Sequence, residues 1–488
     1  MSLTPLLVAV AMTAAQGRSL WRQFRLGLAT GVVYFCGTLY WLAQVMATHG
    51  NLPIAVAGLL AFGLAAYLSV FVGAFSCLVG LSARRWGPSG IWLAPAFWVA
   101  TEWLRAWLGA AFPWVLLGSS QTPVLPVAQL ASVTGVYGLS ALVALVGTAA
   151  AALAIRRDSA TWRNGLLTGL VLVIVATWGA WRLGRSELTT HGNPVRIGLL
   201  QGNVRQETKS DPAYRDAITE RYVALSRQAI GSGAQLVLWP EASTPFYFDL
   251  EPAMAEPVRR LAAQARVPFV IGTDEFERGK NGEADRYYNT AVLVDANGRS
   301  TGTYRKILLV PFGEYVPFKK LLFFVGPLVE AVSDFSAGSE PTVFDAGGTR
   351  FSVAICYEAI YARMAHAFVE RGAEVLTTIT NDAWFGRSSA AYQHFDQAAL
   401  RAVEQGRYLV RAANTGFSGA VDPYGRVIAK TQLFESASVT VDVRRLSGRT
   451  VYGLTGDVVA YLALILSAVV VAIGRRAPGS DARAGSRG

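Results

Sequence analysis

Three residues of this 488-residue chain could together carry out covalent acyl transfer: Glu241, Lys306 and Cys356. Each closes or borders a short apolar run. Glu241 ends LVLWPE, Cys356 ends FSVAIC, and Lys306 lies in TYRKILLVPFGEYVP. Reactive groups favour such places, because the scaffold holds them while the loop beyond leaves them accessible. A thiolate attacks a carbonyl and forms a thioester. A carboxylate takes the thiol proton. A fixed ammonium lowers the thiol pKa and balances charge on the tetrahedral oxyanion. Spacing alone does not bring the three together, and a buried cysteine is more often a small hydrophobe. Cys36 and Cys77 keep that plainer reading, since both lie in long apolar stretches. The histidines, His49, His191, His366 and His394, show no metal-ligand spacing and accompany no serine nucleophile motif. Three widely spaced cysteines build no disulfide framework. No metal and no cofactor is expected.

The elements that must position these residues read as a layered α/β domain of about 260 residues, 189–450, large enough to bury a substantial core. VRIGLLQGN, QLVLWPE, VPFVIGTD, NTAVLVDANG, RFSVAICYE and AEVLTTITND are strand-like, and a closing hairpin runs from Tyr408 to Lys430. Tyr214 to Ile230 and Met254 to Ala265 have helical spacing. The rest of the chain is different. Over half of all residues are apolar, 52%, and only 16% are charged. Before residue 190 the only carboxylates are Glu102, Asp158 and Glu187. Spans of about 20 apolar residues cross a bilayer, and candidates lie near 25–47, 53–81, 88–108, 129–155, 165–182 and 452–474. Leu3 to Ala15 is a shorter apolar helix. The organisation expected is a transmembrane bundle over 1–188, the α/β domain, a last transmembrane helix over 451–474 and a basic, disordered tail over 475–488.

Arginines set the orientation. Arg18, Arg22 and Arg25, then Arg84 and Arg85, then Arg156, Arg157 and Arg163, then Arg475 and Arg476 fall in alternate loops. The positive-inside rule puts these in the cytoplasm and the α/β domain outside. The net charge of +11 is then topological, and nucleic-acid binding is not expected. Glu102 and Arg105 share one helical face within a span. Either they form a local ion pair that fixes helix packing, or they contact a lipid headgroup. So few ionisable groups in the spans weigh against a transporter.

WPE at 239–241, YRK at 304–306 and ICYE at 355–358 resemble the Glu-Lys-Cys motifs of the nitrilase superfamily. QGN at 201–203, LVPFGEYVP at 309–317, NDAWFG at 381–386, TEWLR at 101–105 and FPW at 112–114 are similar to the apolipoprotein N-acyltransferase family. The resemblance implies a four-layer αββα sandwich on the periplasmic side of a bacterial inner membrane. It implies acyl transfer from a phospholipid to the α-amine of S-diacylglyceryl apolipoproteins, by a ping-pong route through a Cys356 thioester. Glu241 would be the base and Lys306 the oxyanion partner. Glu314 and Glu358 would support them by orienting Lys306. Tyr357, Trp384 and Asn289 match positions near the substrate. Phe318 to Val329, with Phe323 and Phe324 beside Lys319 and Lys320, suits a loop dipping into the lipid interface. The protein is expected to be monomeric. The family usually has eight membrane helices, and seven at most are counted here, so an N-terminal helix is absent or the start lies downstream. Ser210 stands where the family often has Trp. A membrane-tethered amidase acting on small amides is the alternative. It would share the triad but needs no such bundle.

Overall fold

The computed structural model describes residues 3–475 apart from 51, 110, 210, 280–284, 312 and 316–334. The interface loop expected at Phe318 to Val329, with Phe323 and Phe324, lies outside these residues. So do Ser210 and the tail from 476.

The first half is helical: α1 Thr4–Ala15, α2 Leu20–Thr38, α3 Trp41–His49, α4 Ile54–Trp86, α5 Ala94–Trp107, α6 Ala131–Ile155 and α7 Ser159–Arg185. Ile54–Trp107 contains a stretch long and apolar enough to cross a bilayer and folds back on itself. Ser82 Oγ donates to Gly90 O, the Phe75 ring meets Trp98, and Tyr67 Oη donates to Leu108 O. α4 and α5 are therefore antiparallel neighbours. α6 and α7 are also long and apolar enough to cross a bilayer, and α7 leaves Leu166, Leu170, Ile174 and Trp181 bare on its outer face. A soluble protein rarely exposes such a stripe. These helices mark a membrane protein. α2 crosses α4 closely because Gly27 has no side chain: a Cβ there would run into the Val72 carbonyl and Ser76 Oγ.

One expected span is broken. The run read as 25–47 bends by 55° between α2 and α3. The Thr38 carbonyl turns out of the helix to accept from Gln393 Nε2 at 3.1 Å, and Leu42 N goes back only as far as Leu39 O. The first turns read into 88–108 are 3₁₀, Gly87–Leu93. The last helix begins at Val458 and not 452, after a separate turn at Val451–Thr455.

The second half holds two sheets. The first has the order β13-β1-β2-β3-β4-β5, with β1 Pro194–Gln201, β2 Leu236–Leu238, β3 Phe269–Glu277, β4 Arg286–Val294, β5 Ser300–Arg305 and β13 Ala437–Arg444. The second has the order β12-β11-β10-β9-β8, with β8 Ala354–Ile355, β9 Leu376–Thr380, β10 Leu409–Ala413, β11 Gly419–Val421 and β12 Val427–Lys430. β6 Val343–Ala346 and β7 Thr349–Ser352 form a hairpin. Strands β1 to β3 run parallel, as do β8 to β10. The inner faces meet through Ile197, Leu238 and Leu293 on one side and Ile355, Ile379 and Val410 on the other. α8 Arg215–Gly231 and α9 Pro252–Ala265 cover the first sheet through Tyr222 and Val258. α10 Ala362–Glu370 and α11 Ser389–Gln405 cover the second through Val369 and Phe395. The layers are therefore helix, sheet, sheet, helix: an αββα sandwich.

α11 has a second partner. Its Leu400 and Val403 pack with Val99, Leu116, Val136 and Leu139 of the membrane half. Each such buried side chain contributes about 1.5–3 kcal/mol. α11 thus joins the sandwich to the bundle. Strand β13, strand β5 and helices α10 and α11 were not among the elements read from the sequence.

Candidate active site

β2 runs out at Leu238 and delivers Glu241 three residues later, 6% exposed. The next residue, Ala242, has φ +43, a left-handed backbone costing about 1–3 kcal/mol for a non-glycine. β3 passes so close that only glycine fits at 272, where a Cβ would meet Pro240 O and the Glu241 Cα. Glu241 Oε1 accepts from Asn289 Nδ2 at 2.7 Å and faces Lys306 Nζ at 3.5 Å. Its Oε2 accepts from the Asn381 backbone N–H at 2.8 Å. Both oxygens are held.

Lys306 follows β5 and is 1% exposed. Burial alone would push its ammonium pKa down. Glu314 at 2.7 Å, then Glu241, outweigh that and hold it above the ordinary lysine value. The two carboxylates therefore favour its charged form.

Cys356 opens a 3₁₀ turn, Cys356–Ile360, directly after β8. The single strand read over RFSVAICYE is split in two and stops there, because Cys356 has φ +50. The thiol is buried within the electrostatic reach of Glu241, Lys306 and Asp382. Burial pushes its pKa well above the ordinary value, Glu241 adds to the rise, and Lys306 opposes it without cancelling it. Lys306 lowers the thiol pKa as expected, but burial and Glu241 outweigh it. At rest the group is a thiol, so a base must remove its proton during attack.

The expected supporting residues divide. Glu314 Oε1 binds Lys306 and also accepts from Asn289 Nδ2 at 3.0 Å, and its Oε2 accepts from Val310 N at 2.8 Å. Glu358 acts on Lys306 through the backbone that follows it and not through a hydrogen bond to the ammonium among the described residues. It accepts from Tyr304 Oη at 2.8 Å, Ile307 N at 2.7 Å and Leu308 N at 3.1 Å on one oxygen, and from Ile355 N at 2.8 Å on the other. It therefore ties the backbone after Lys306 to the backbone before Cys356. Asn289, on β4, bridges the two carboxylates through one amide nitrogen. The Tyr357 ring lies against Phe112, Trp114 and Tyr361. Trp384 is 38% exposed, not core, and meets His49 of α3 with centroids 4.8 Å apart.

Several neighbours were not singled out in the sequence. Lys209 is buried, and its Nζ donates to the Glu241 carbonyl at 3.3 Å. Burial brings its pKa down to about 8, against the pull of Glu241 and Asp274. Asp274 is raised by burial to about 6. Asp382, His394 and Arg411 form a buried network behind Cys356. The QGN and NDAWFG strings, which flank Lys209 and contain Asp382, were the available pointers.

Residues 196–451 match the carbon-nitrogen hydrolase family, and residues 1–149 match the apolipoprotein N-acyltransferase N-terminal domain. A protein of Geobacter metallireducens named apolipoprotein N-acyltransferase is 38% identical over 461 residues, covering 93% of this chain and 87% of its own. The chain belongs to the apolipoprotein N-acyltransferase family. A relative of that name from Methylococcus capsulatus is 33% identical over 441 residues, 88% of this chain and 83% of its own. Another from Pseudomonas aeruginosa is 33% identical over 458 residues, 91% and 86%. Among solved structures, a nitrilase-superfamily amidase of Nesterenkonia AN1 aligns at 22% identity and TM-score 0.39, over 52% of this chain and 92% of its own. Like the N-acyltransferases, this chain is a membrane-embedded acyltransferase with a nitrilase-type domain.

Proposed function

We propose that this N-acyltransferase moves an acyl chain from a membrane phospholipid to the α-amine of an S-diacylglyceryl cysteine at a lipoprotein N-terminus. The observation that carries the reading is one buried cluster holding a thiol, a doubly braced carboxylate and a paired ammonium. In the first half-reaction the Cys356 sulfur attacks the ester carbonyl as Glu241 takes the thiol proton. Lys306 faces the tetrahedral oxyanion. The C–O bond breaks, Glu241 returns the proton to the leaving oxygen, and a lysophospholipid departs. A thioester remains on Cys356. In the second half the lipoprotein amine attacks the thioester carbon and Glu241 accepts its proton. The C–S bond breaks, the sulfur regains the proton, and an amide is left. Glu314 gives Lys306 its own counter-ion, so Glu241 is free to change charge. Glu358 holds the lysine and cysteine segments in register.

Asn289 fixes Glu241. On their motifs, Tyr357 and the exposed Trp384 are assigned to the substrate, and Phe323 and Phe324 to the lipid interface. The alternation of arginine-rich loops supports a site on the periplasmic face of the inner membrane, and the reading takes the protein as a monomer. A membrane-tethered amidase would share the cluster but has no use for a bundle similar to that of the N-acyltransferases.

The test is to incubate the solubilised protein with a phospholipid labelled in its acyl chain. A hydroxylamine-sensitive adduct is expected on the wild type and absent from Cys356→Ala. No wild-type adduct, or an equal one on Cys356→Ala, overturns the reading.

A further inference from the structure

Cys356 holds a left-handed backbone without being glycine, so something must keep it there. On its amino side the Ile355 N–H is held by Glu358. On its other side the Cys356 carbonyl meets His394 Nε2 at 3.0 Å. A carbonyl can only accept, so Nε2 must carry the hydrogen. The other ring nitrogen, Nδ1, lies 3.0 Å from Asp382 Oδ1 and 3.1 Å from Arg411 Nη2. A neutral ring accepts there from Arg411. Burial first, and Arg411 second, lower the His394 pKa and favour that neutral form.

The ring is fixed from every side. Arg411 Nη2 donates to Asp382 Oδ2 at 2.7 Å and its Nε donates to Phe417 O at 3.1 Å. Asp382 Oδ1 accepts from Thr380 Oγ1 at 2.9 Å. The rings of Trp114 and Phe385 flank the imidazole. His394 is fully buried, so no bulk water stands ready to replace its hydrogen bond.

We propose that His394 is a positioning residue for the nucleophile: its Nε2–H pins the Cys356 carbonyl and so holds the left-handed turn that aims the thiol. This rests on Cys356 being the nucleophile of the proposed reaction. The residue touches no reacting atom. It acts through the peptide of the residue that does. Its seat is α11, whose preceding residue, Gln393, accepts from the indoles of Trp41 at 3.3 Å and Trp114 at 2.8 Å. The pin is therefore anchored to the membrane half as well as to the sandwich.

Three substitutions separate this role from packing. His394→Gln places an amide nitrogen near the Nε2 position and can still reach Cys356 O. His394→Asn places it near Nδ1 and cannot. His394→Phe keeps the bulk and has no donor. The readouts are the single-turnover rate of Cys356 acylation at saturating labelled phospholipid, the half-saturating lipid concentration and the melting temperature. His394→Phe and His394→Asn are expected to slow acylation by about tenfold to a hundredfold, the scale of a reacting group misplaced by about 1 Å, with half-saturation unchanged within about twofold. His394→Gln is expected to recover to within about fivefold of wild type.

A folded Phe or Asn variant acylating at the wild-type rate overturns the proposal, and so does a Gln variant no faster than Asn. If the Phe variant does not fold, the Gln and Asn pair decides alone. Iodoacetamide alkylation of Cys356 needs no lipid and should follow the same order. Alkylation in that order on a protein that forms no lipid adduct would overturn the acyl-transfer reading and leave this role standing. Equal alkylation of all variants would overturn the role.

Discussion

Replacing Lys306 by methionine removes its charge and keeps most of its length. What remains is two buried carboxylates on one amide. Asn289 Nδ2 lies 2.7 Å from Glu241 Oε1 and 3.0 Å from Glu314 Oε1, which keeps the two oxygens within about 5.7 Å of each other. At an effective dielectric of about 20, two unit charges at that separation repel by about 3 kcal/mol. That falls at the low end of the 3–5 kcal/mol roughly expected when a buried ion pair loses one partner. For a domain of this size it lowers the melting temperature by about 6–12 °C. The sign with pH follows from which group titrates. The wild-type ammonium stays charged at all working pH values, because Glu314 and Glu241 hold its pKa above the ordinary one despite burial. Without it, two close carboxylates hold one proton between them more tightly when folded than when unfolded. The deficit is therefore full at high pH and shrinks as the pair takes up that proton. Thermal unfolding of wild type and Lys306→Met in one detergent, from pH 5 to 8.5, should show a gap that is wide at pH 8.5 and narrow at pH 5. The double variant Lys306→Met with Glu314→Gln removes one of the two charges and should recover most of the loss. A gap of the same size at both ends, or a double variant as unstable as the single, refutes the reasoning.

Glu241→Gln should form no lipid adduct, yet its Cys356 should react faster with iodoacetamide at pH 8.5, because one charge that raises the thiol pKa is gone while Lys306 stays. Slower alkylation would count against that account of the site. Arg105→Met leaves the carbonyls of Phe112 and Trp114 without their donor. At about 1–3 kcal/mol for each buried group left unpaired, a melting scan should show a clear loss, with slower acylation beside it. Lys209 titrates near 8 when folded and near its ordinary value when unfolded, because burial disfavours its charge. The unfolded chain therefore binds more protons between those values, and stability gains up to about 1.4 kcal/mol per pH unit there. Relative to wild type, Lys209→Met should lack that gain, and parallel stability curves above pH 8 would contradict it.

The clustering residues were legible because reactive groups tend to sit where apolar runs stop, and Glu241, Lys306 and Cys356 all border such runs. What stayed hidden depends on backbone atoms or on distant partners. Nothing in FSVAIC marks a left-handed residue: the strand ends at Cys356 without a glycine or proline to punctuate it. Glu358 reads as one more acid, since its four donors include three backbone N–H groups that no spacing identifies. The break between α2 and α3 lies in an apolar run with no proline. It is made by Gln393, 355 residues along the chain from Thr38. α11 was missed for a related reason. Its buried face carries His394, Gln397, Arg401, Glu404 and Gln405, so its polar residues point inward and the amphipathic pattern that exposes a helix in a sequence is lost.

Glu102 and Arg105 now take a definite place. Both are buried, 4.0 Å apart, which is long for an ion pair; Arg105 is satisfied by backbone carbonyls, and Glu102 Oε1 accepts from one backbone N–H and from the Trp98 indole at 3.2 Å. Arg105 donates to Phe112 O at 3.2 Å and Trp114 O at 2.9 Å, and Glu102 accepts from Leu117 N at 2.6 Å. Burial argues for the packing role over headgroup contact, but what they pack is not only helices. They clamp the stretch from Phe112 to Leu117, and that stretch presents Trp114 to Gln393, His394 and Tyr357 together. Tyr357 is the chain neighbour of Cys356, His394 is hydrogen-bonded to its carbonyl, and Gln393 precedes His394 on α11. A charge placed in the bilayer half thus reaches the cysteine through one aromatic side chain and one helix. Loosening the clamp should cost acylation before it costs the sandwich, because the strand ladders within each sheet are paired without it.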